Sequence, residues 1–332
     1  MTDAATELVD LEHLYLQMRR IRAFEVRVMA LFAEKLVRGS AHPYIGEEAI
    51  AVGVCSLLRQ SDYITSTHRG HGHCIAKGLE LGKMTAEIIG REGGYCRGRG
   101  GSMHITAMAH GMLGADAIVA GSCAIAVGAA YSLQQQGTDA VTVAFFGDGA
   151  SNQGIFHEAA NLAAVLAAPV VFVCENNRWA ISTPVESVLR VDDIASRAAG
   201  YGFPGEVVDG NDVLAVREVA GRAIARARAG DGPTLIEAKT YRITPHSAAT
   251  PNDARSPDEL AHWRARDPIE RFVTQLGEAG IDAGRVAELA AQVDGEIEDA
   301  VAFALASPHP AAETAAEDVY APAPWLRPGR LA

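Results

Sequence analysis

The 332-residue sequence predicts an α/β fold, doubly wound around a mostly parallel sheet with helices on both faces, and three observations predict it. Short apolar runs alternate with helical segments from about residue 44 to residue 242, which is the β-α-β rhythm of a parallel sheet. Gly and Ala are abundant and aromatic residues make up only 6%, a composition suited to close helix-on-sheet packing. Two of the apolar runs end in polar residues, Asp148 between Gly147 and Gly149 and the pair Asn176-Asn177 after Glu175. In a doubly wound sheet the carboxyl ends of the strands open onto a ligand crevice.

The elements follow in order. Residues 8–37 read as one amphipathic helix, with Leu11, Leu14, Met18, Ile21, Val28 and Phe32 at helical spacing and Gly39-Ser40 as its stop. Residues 1–40 are therefore expected to form an N-terminal helical arm, and 41–245 the α/β binding domain. Within that domain 139–146 is a strand, 151–167 a helix and 169–174 a second strand. Asp209-Gly210-Asn211-Asp212 then gives turn and N-cap chemistry before a helix at 213–229 and a strand at 234–238. The stretch 244–258 is polar, carries three prolines and reads as an exposed, mobile loop. With the helices at 258–266 and 285–305 it makes up a third region, 246–306. The Pro/Ala-rich remainder, 307–332, is expected to be extended, either free or laid on a partner.

Composition excludes several functions. The net charge is −12 and no dense Lys/Arg run exists, so nucleic acid is not the expected partner. No run of about 20 apolar residues is present to span a bilayer, so no membrane association is expected. The five cysteines are odd in number and lack zinc-site spacing, which fits a reduced compartment. The acidic first ten residues show neither an Arg-rich amphipathic stretch nor a signal-type apolar run. A cytoplasmic location is the expectation.

The chemistry is concentrated in residues 147–179. Asp148 and Asn177 are 29 positions apart in sequence, yet each follows a strand, and neighbouring strand ends would bring them to one volume. A carboxylate and an amide oxygen are hard ligands that suit Mg2+, which keeps further positions for phosphate oxygens and water. The glycines beside Asp148 permit close approach of a phosphate, and a helix starting near Ser151 would turn its positive end the same way. Alone, Gly-Asp-Gly and Asn-Asn are ordinary turn sequences. Strand, GDG, helix, strand and NN at this separation together match the thiamine diphosphate fingerprint.

On these residues the chain resembles the alpha subunit of the thiamine diphosphate-dependent dehydrogenase component of 2-oxo acid dehydrogenase complexes, the group of the pyruvate, branched-chain and acetoin enzymes. The resemblance runs from about Leu14 to Pro322, through GDGASNQGIFHEAANLAA, ENNRWAISTP, YITSTHRGHGHCIAKG, GRGGSMHI and DPIERF. The segments SDYITSTHRGHGHCIAKG and GMLGADAIV are most similar to acetoin dehydrogenase. The resemblance implies Asp148, Asn177 and the backbone carbonyl of Trp179 as Mg2+ ligands; relatives usually carry Tyr at this last position. It implies Gly149 and Ala150 against the diphosphate, His68 and Arg69 beside it, and Val119 in contact with the cofactor. A guanidinium fork suits phosphate.

Among the eleven histidines, the resemblance implies active-site roles for His246, His104 and His42, with His246 next to the cofactor. The trio His68, His71 and His73 reads as a polar, hydrogen-bonded loop lining the cofactor channel. The resemblance also implies a separate beta subunit, which supplies the glutamate that activates the cofactor, in a two-alpha, two-beta heterotetramer. It further implies a lipoyl transacylase that accepts the acyl unit. The segment Asp116-Ala117, the run Ser122-Cys123-Ala124, and Thr244-Pro245 depart from the family's usual wording and bear on substrate and acceptor. Three functions stay open. The first is a dehydrogenase alpha subunit cleaving acetoin or a 2-oxo acid. The second is a two-chain acyloin synthase or transketolase-like transferase, and the third a catalytically inactive cofactor-binding scaffold.

Overall fold

Two apolar clusters, one on each face of a six-stranded sheet, organise the computed structural model, which describes residues 4–250 and 254–317. The strands are β1 (Tyr63–Thr67), β2 (Met112–Asp116), β3 (Thr142–Gly147), β4 (Val170–Asn176), β7 (Gly205–Asp209) and β8 (Thr234–Lys239), and a small antiparallel hairpin is formed by β5 (Trp179–Ala180) and β6 (Thr183–Pro184). The main sheet runs β2-β1-β3-β4-β8-β7, with every pairing parallel. The expected mostly parallel α/β fold is thus observed.

Side-chain alternation divides the core. Val143, Phe145, Val171, Val173 and Ile236 face one cluster, while Ala144, Phe146, Val170, Phe172 and Leu235 face the other, as the two-residue period of a strand requires. The first face is covered by α2 (Glu48–Cys55), α3 (His71–Ala76) and α7 (Val213–Arg228), and the second by α5 (Gly121–Gln135) and α6 (Gly154–Val165). The long α1 (Ala4–Ala33) packs on α2, α3, α9 (Pro268–Glu278) and α10 (Ala283–Ala306), and α10 packs in turn on α4 (Leu81–Ile88). Phe172 is fully buried, so truncating it to Ala would cost about 3–5 kcal/mol. Among the described residues no helix is long and apolar enough to cross a membrane.

Several expectations are corrected. The first helix ends at Ala33 and not near Gly39, because Lys35 takes a left-handed conformation, φ 62°, and the N–H of Leu36 bonds back to Leu31 O. That is a Schellman closure made without glycine. The helix expected from residue 151 begins at Gly154; Asp148–Asn152 instead forms a tight 3-10 turn, and Gln153 is extended. The strand β2 lies in MLGAD, which Gly114 interrupts and which periodicity alone does not reveal.

The loop expected to be exposed is partly tucked in. Ser247 and Arg255 are buried, and Arg255 donates to the backbone carbonyls of Arg242 and Thr244 with its guanidinium 5.1 Å from the Tyr241 ring centroid. Residues 251–253 of that loop lie outside the described residues. The start of the C-terminal tail lies on this same chain. Pro308 O accepts from Glu92 N, Arg99 donates to Thr314 O and Glu317 O, and Ala312–Ala316 forms a 3-10 turn. The rest of the expected extended tail, 318–332, lies outside the described residues. Asp212 caps α7 as its sequence suggests, accepting from Leu214 N and Ala215 N.

Candidate active site

The strand order reverses at β1, which has β2 on one side and β3 on the other. This is the switch point where helices leave toward opposite faces and a crevice opens. His68 and Arg69 follow β1, Ala117 to Val119 follow β2, Asp148 follows β3, Asn177 follows β4, and Arg242 follows β8. All of them line one cleft of about 430 Å³, and His42 and His246 join them there.

Asp148 is nearly fully buried, and its Oδ2 has no hydrogen-bond partner among the described residues. Burial pushes its carboxyl up to about 6, while backbone N–H groups and the charges of Arg242 and Arg69 act the other way. A buried carboxylate oxygen left open is costly, and such an orphan in a native site points to an ion or ligand. A divalent cation would satisfy it. Gly149, next to it, leaves no room for a side chain, since a Cβ there would stand 2.6 Å from the Ala180 Cβ.

Asn177 and Trp179 sit on a tight turn. Arg178 and Ile181 both adopt positive φ, 70° and 56°, an uncommon conformation for side-chain-bearing residues and above all for β-branched Ile. Arg242 holds the turn by donating to Trp179 O at 3.3 Å and Ile181 O at 3.1 Å. The Trp179 indole N–H adds a bond at 3.0 Å to Oε1 of Glu259, in α8 (Pro257–Arg264). The strained backbone is therefore held from two sides.

Three imidazoles cluster in the cleft lining. Ring centroids of His42 and His68 are 4.7 Å apart, of His42 and His246 5.0 Å, and of His68 and His246 5.4 Å. Burial first, then Arg69, depresses all three, to about 4 for His42, about 2 for His68 and about 3 for His246. They are neutral at pH 7. Arg242 lies 3.2 Å from His246 Nδ1, and because a guanidinium can only donate, Nδ1 is the acceptor and Nε2 carries the proton. His246 therefore offers an N–H to an oxygen and not a charge.

The floor holds two carboxyl groups. Glu175 accepts from the Tyr44 hydroxyl and bonds His73 Nε2 at 2.9 Å, and His73 Nδ1 meets Ser66 Oγ at 2.7 Å. Glu47, fully buried, is pushed up to about 8 by desolvation, with Arg69 opposing and Glu175 reinforcing the shift.

The structure thus gathers Asp148, Gly149, Ala150, Asn177, Trp179, His68, Arg69, Val119, His42 and His246 in one cleft. It places His104 elsewhere: that side chain is exposed and outside the lining, although its neighbour Met103 belongs to it. His71 and His73 are corrected too. Neither lines the channel; both are fully buried in α3, His71 between Glu25 and Ser102 and His73 between Glu175 and Ser66. Sequence reasoning did not single out Glu47, Glu175 or Arg242 as site residues. Glu175 directly precedes the Asn-Asn pair at a strand end, a signal that was available.

A parallel α/β sheet with a cleft at its switch point, lined by a buried carboxyl group and two guanidinium groups, is the arrangement in which α/β proteins bind ligands and cofactors. Residues 16–313 match the family described as the dehydrogenase E1 component. The chain is 48% identical over 308 residues to the alpha subunit of acetoin:2,6-dichlorophenolindophenol oxidoreductase from Bacillus subtilis, covering 92% of each chain. It is 44% identical over 323 residues to the protein of the same description from Cupriavidus necator, covering 96% of this chain and 97% of that one. It is 41% identical over 305 residues to the pyruvate dehydrogenase E1 component subunit alpha of Porphyra purpurea, covering 90% and 89%. The chain belongs to the dehydrogenase E1 component family, whose members depend on thiamine diphosphate.

Proposed function

We propose that this chain is the diphosphate- and Mg2+-binding alpha subunit of a thiamine diphosphate-dependent dehydrogenase that cleaves acetoin or a 2-oxo acid and passes the acyl unit to a lipoyl group. The observation that carries the reading is the buried Asp148 Oδ2 at the switch-point cleft, unpartnered among the described residues. Asp148, the Asn177 amide oxygen and the Trp179 carbonyl are a donor set of the hard-oxygen kind that Mg2+ takes. Arg69 and Arg242 give the cleft the positive charge that a diphosphate needs.

When bound, thiamine diphosphate supplies a carbon nucleophile and electron sink for cleaving a bond beside a carbonyl. The chain's own residues bind and orient. Gly149 and Ala150 bring backbone against the diphosphate, and Arg69 pairs with its charge. His68, His42 and His246 are neutral and offer N–H groups to oxygen atoms without adding a positive charge that would repel the cation. Val119 packs against the cofactor, and His104 takes part only once a neighbouring chain or loop brings it to the substrate.

A beta subunit completes the site in a two-alpha, two-beta assembly and contributes the activating glutamate. Support comes from the cleft's lip, where Ile118 is 69% and Val119 48% exposed. Further exposed apolar side chains lie on α5, at Ile125 and Tyr131, and on α6, at Ile155, Leu162 and Val165; such surface is of the kind that marks a protein interface. A reduced, cytoplasmic setting accords with five free cysteines. The test is co-expression with a beta partner, addition of thiamine diphosphate and Mg2+, and a screen of acetoin, pyruvate and branched 2-oxo acids with an artificial electron acceptor. Turnover of acetoin or a 2-oxo acid only when both chains are present is the expected result. Turnover by the alpha chain alone would contradict it.

A further inference from the structure

Two adjacent glutamates open α2, and their side chains part company. Glu48 takes Gly46 N at 3.0 Å and pairs with Arg22 at 2.6 Å, so it is spent on the fold. Glu47 occupies the N-cap position of α2 but makes no capping bond. It reaches the cleft floor instead, where its two oxygens lie 3.2 and 3.3 Å from Asn177 Nδ2, and Oε1 lies 3.6 Å from Arg69 Nε. Burying a carboxyl completely while forgoing a helix cap costs stability, so the fold gives up something to keep it there.

We propose that Glu47 is a positioning residue that sets which end of the Asn177 amide faces a bound cation. The inference rests on the cation-site reading above. An amide has one end that only donates and one that only accepts, and a carboxyl group keeps an accepting oxygen whether or not it carries a proton. Glu47 therefore holds the NH2 group of Asn177 against the floor and leaves Oδ1, the only end able to ligate a cation, on the other side. Oδ1 meanwhile accepts from Trp179 N at 3.3 Å, which keeps it in the turn that also carries the Trp179 carbonyl. Without Glu47 only the bond from Trp179 N opposes rotation of the amide about its last bond, and the rotated amide presents NH2 to the metal. The same carboxyl group lies beside Arg69 and steadies it, so one side chain arranges a cation ligand and an anion partner together. Outer groups of this kind typically change metal affinity by about 10–100-fold when removed.

The experiment measures Mn2+ affinity by electron paramagnetic resonance on the full chain assembled with its partner subunit, in the presence of thiamine diphosphate. Glu47→Met, Glu47→Gln and Asp148→Asn are compared with the unaltered protein, each checked by thermal melting. Glu47→Ala, whose vacated space admits water, replaces Glu47→Met if the latter does not fold. The expected result is a 10–100-fold loss for Glu47→Met and recovery to within about threefold for Glu47→Gln, whose amide oxygen accepts the same bond. A folded Glu47→Met or Glu47→Ala protein with unchanged Mn2+ affinity, while Asp148→Asn has lost it, would overturn the proposal and leave the cation site standing. Equal losses in Glu47→Met and Glu47→Gln would also overturn it, since charge and not amide orientation would then matter. Unchanged affinity in Asp148→Asn would overturn the cation site itself, and this proposal with it.

Discussion

Arg242 Nη1 lies 3.3 Å from the carbonyl oxygen of Trp179, the backbone group proposed to complete the cation's protein ligands. One guanidinium thus holds the ligand-bearing turn from below and adds positive charge to the cleft. A carbonyl oxygen has two lone pairs, so the bond from Arg242 and a cation can share it. Replacing Arg242 with Met should loosen the turn and remove that charge together. Thiamine diphosphate affinity is expected to fall by about tenfold or more, and its dependence on ionic strength should weaken, because fewer charges act on the diphosphate. Calorimetric titrations at two salt concentrations check both. An affinity as salt-sensitive as before would contradict the role given to Arg242.

The contact between Gly149 and Ala180 leads to a second expectation. A methyl group at position 149 would meet the Ala180 Cβ at 2.6 Å, forcing the β5 hairpin away from Asp148. Gly149→Ala should therefore lower cofactor affinity severalfold while changing the melting temperature of the cofactor-free protein little, since the hairpin lies at the cleft's edge. Gly149→Val should do more. Cofactor binding of unaltered strength in Gly149→Val would show that the hairpin is not the cation's support.

The histidine wall predicts acid sensitivity. Burial and the charge of Arg69 bring His68 down to about 2, so the folded protein takes up its proton far less readily than the unfolded chain, where the ordinary value is 6.5. Stability from this group is whole above about pH 6.5 and is lost as the pH falls below that value toward the folded one. His42 and His246, at about 4 and about 3, act in the same direction. His68→Gln should reduce the stability lost between pH 7 and pH 5 by about 1 kcal/mol, allowing for partial contact with solvent. Denaturant midpoints at the two pH values measure it. An identical loss in the variant would mean that His68 is readily protonated in the fold.

Stability and function separate at the other end of the sheet. Asp62 is fully buried just before β1, where it accepts from Arg228, Val141 N and Arg59 N. Against the cost of burial, these donors hold its carboxyl below the usual range. Arg228→Ala should cost about 3 kcal/mol, since it strands one partner of a buried pair, and should leave thiamine diphosphate affinity unchanged because the cleft lies at the strands' opposite ends. Denaturation curves and binding titrations on the same variant would expose any coupling between the two.

Much of this was legible in residue patterns. The β-α-β rhythm marked the parallel sheet, and the fingerprint residues Asp148 and Asn177 do share one cleft, because strand ends converge whatever the separation in sequence. Other features were hidden for physical reasons. Lys35 closes α1 in a conformation normally left to Gly or Asn, so Gly39 was the more visible stop. His71 and His73 lie close in sequence to His68 but turn inward, since α3 begins at His71 and carries them into the core beneath the cleft. Glu47 and Arg242 act through partners more than a hundred positions away in sequence or across a hairpin, and no local pattern records such a pairing.

Asp148 and Asn177 are proposed to hold jointly the divalent cation that anchors a diphosphate. The most direct measurement is the dissociation constant of thiamine diphosphate, by calorimetry with Mg2+ present, for the assembled protein carrying Asp148→Ala and Asn177→Ala. A loss of about 100-fold or more, in a complex that still melts cooperatively, is the predicted result. Affinity equal to that of the unaltered complex would contradict the account.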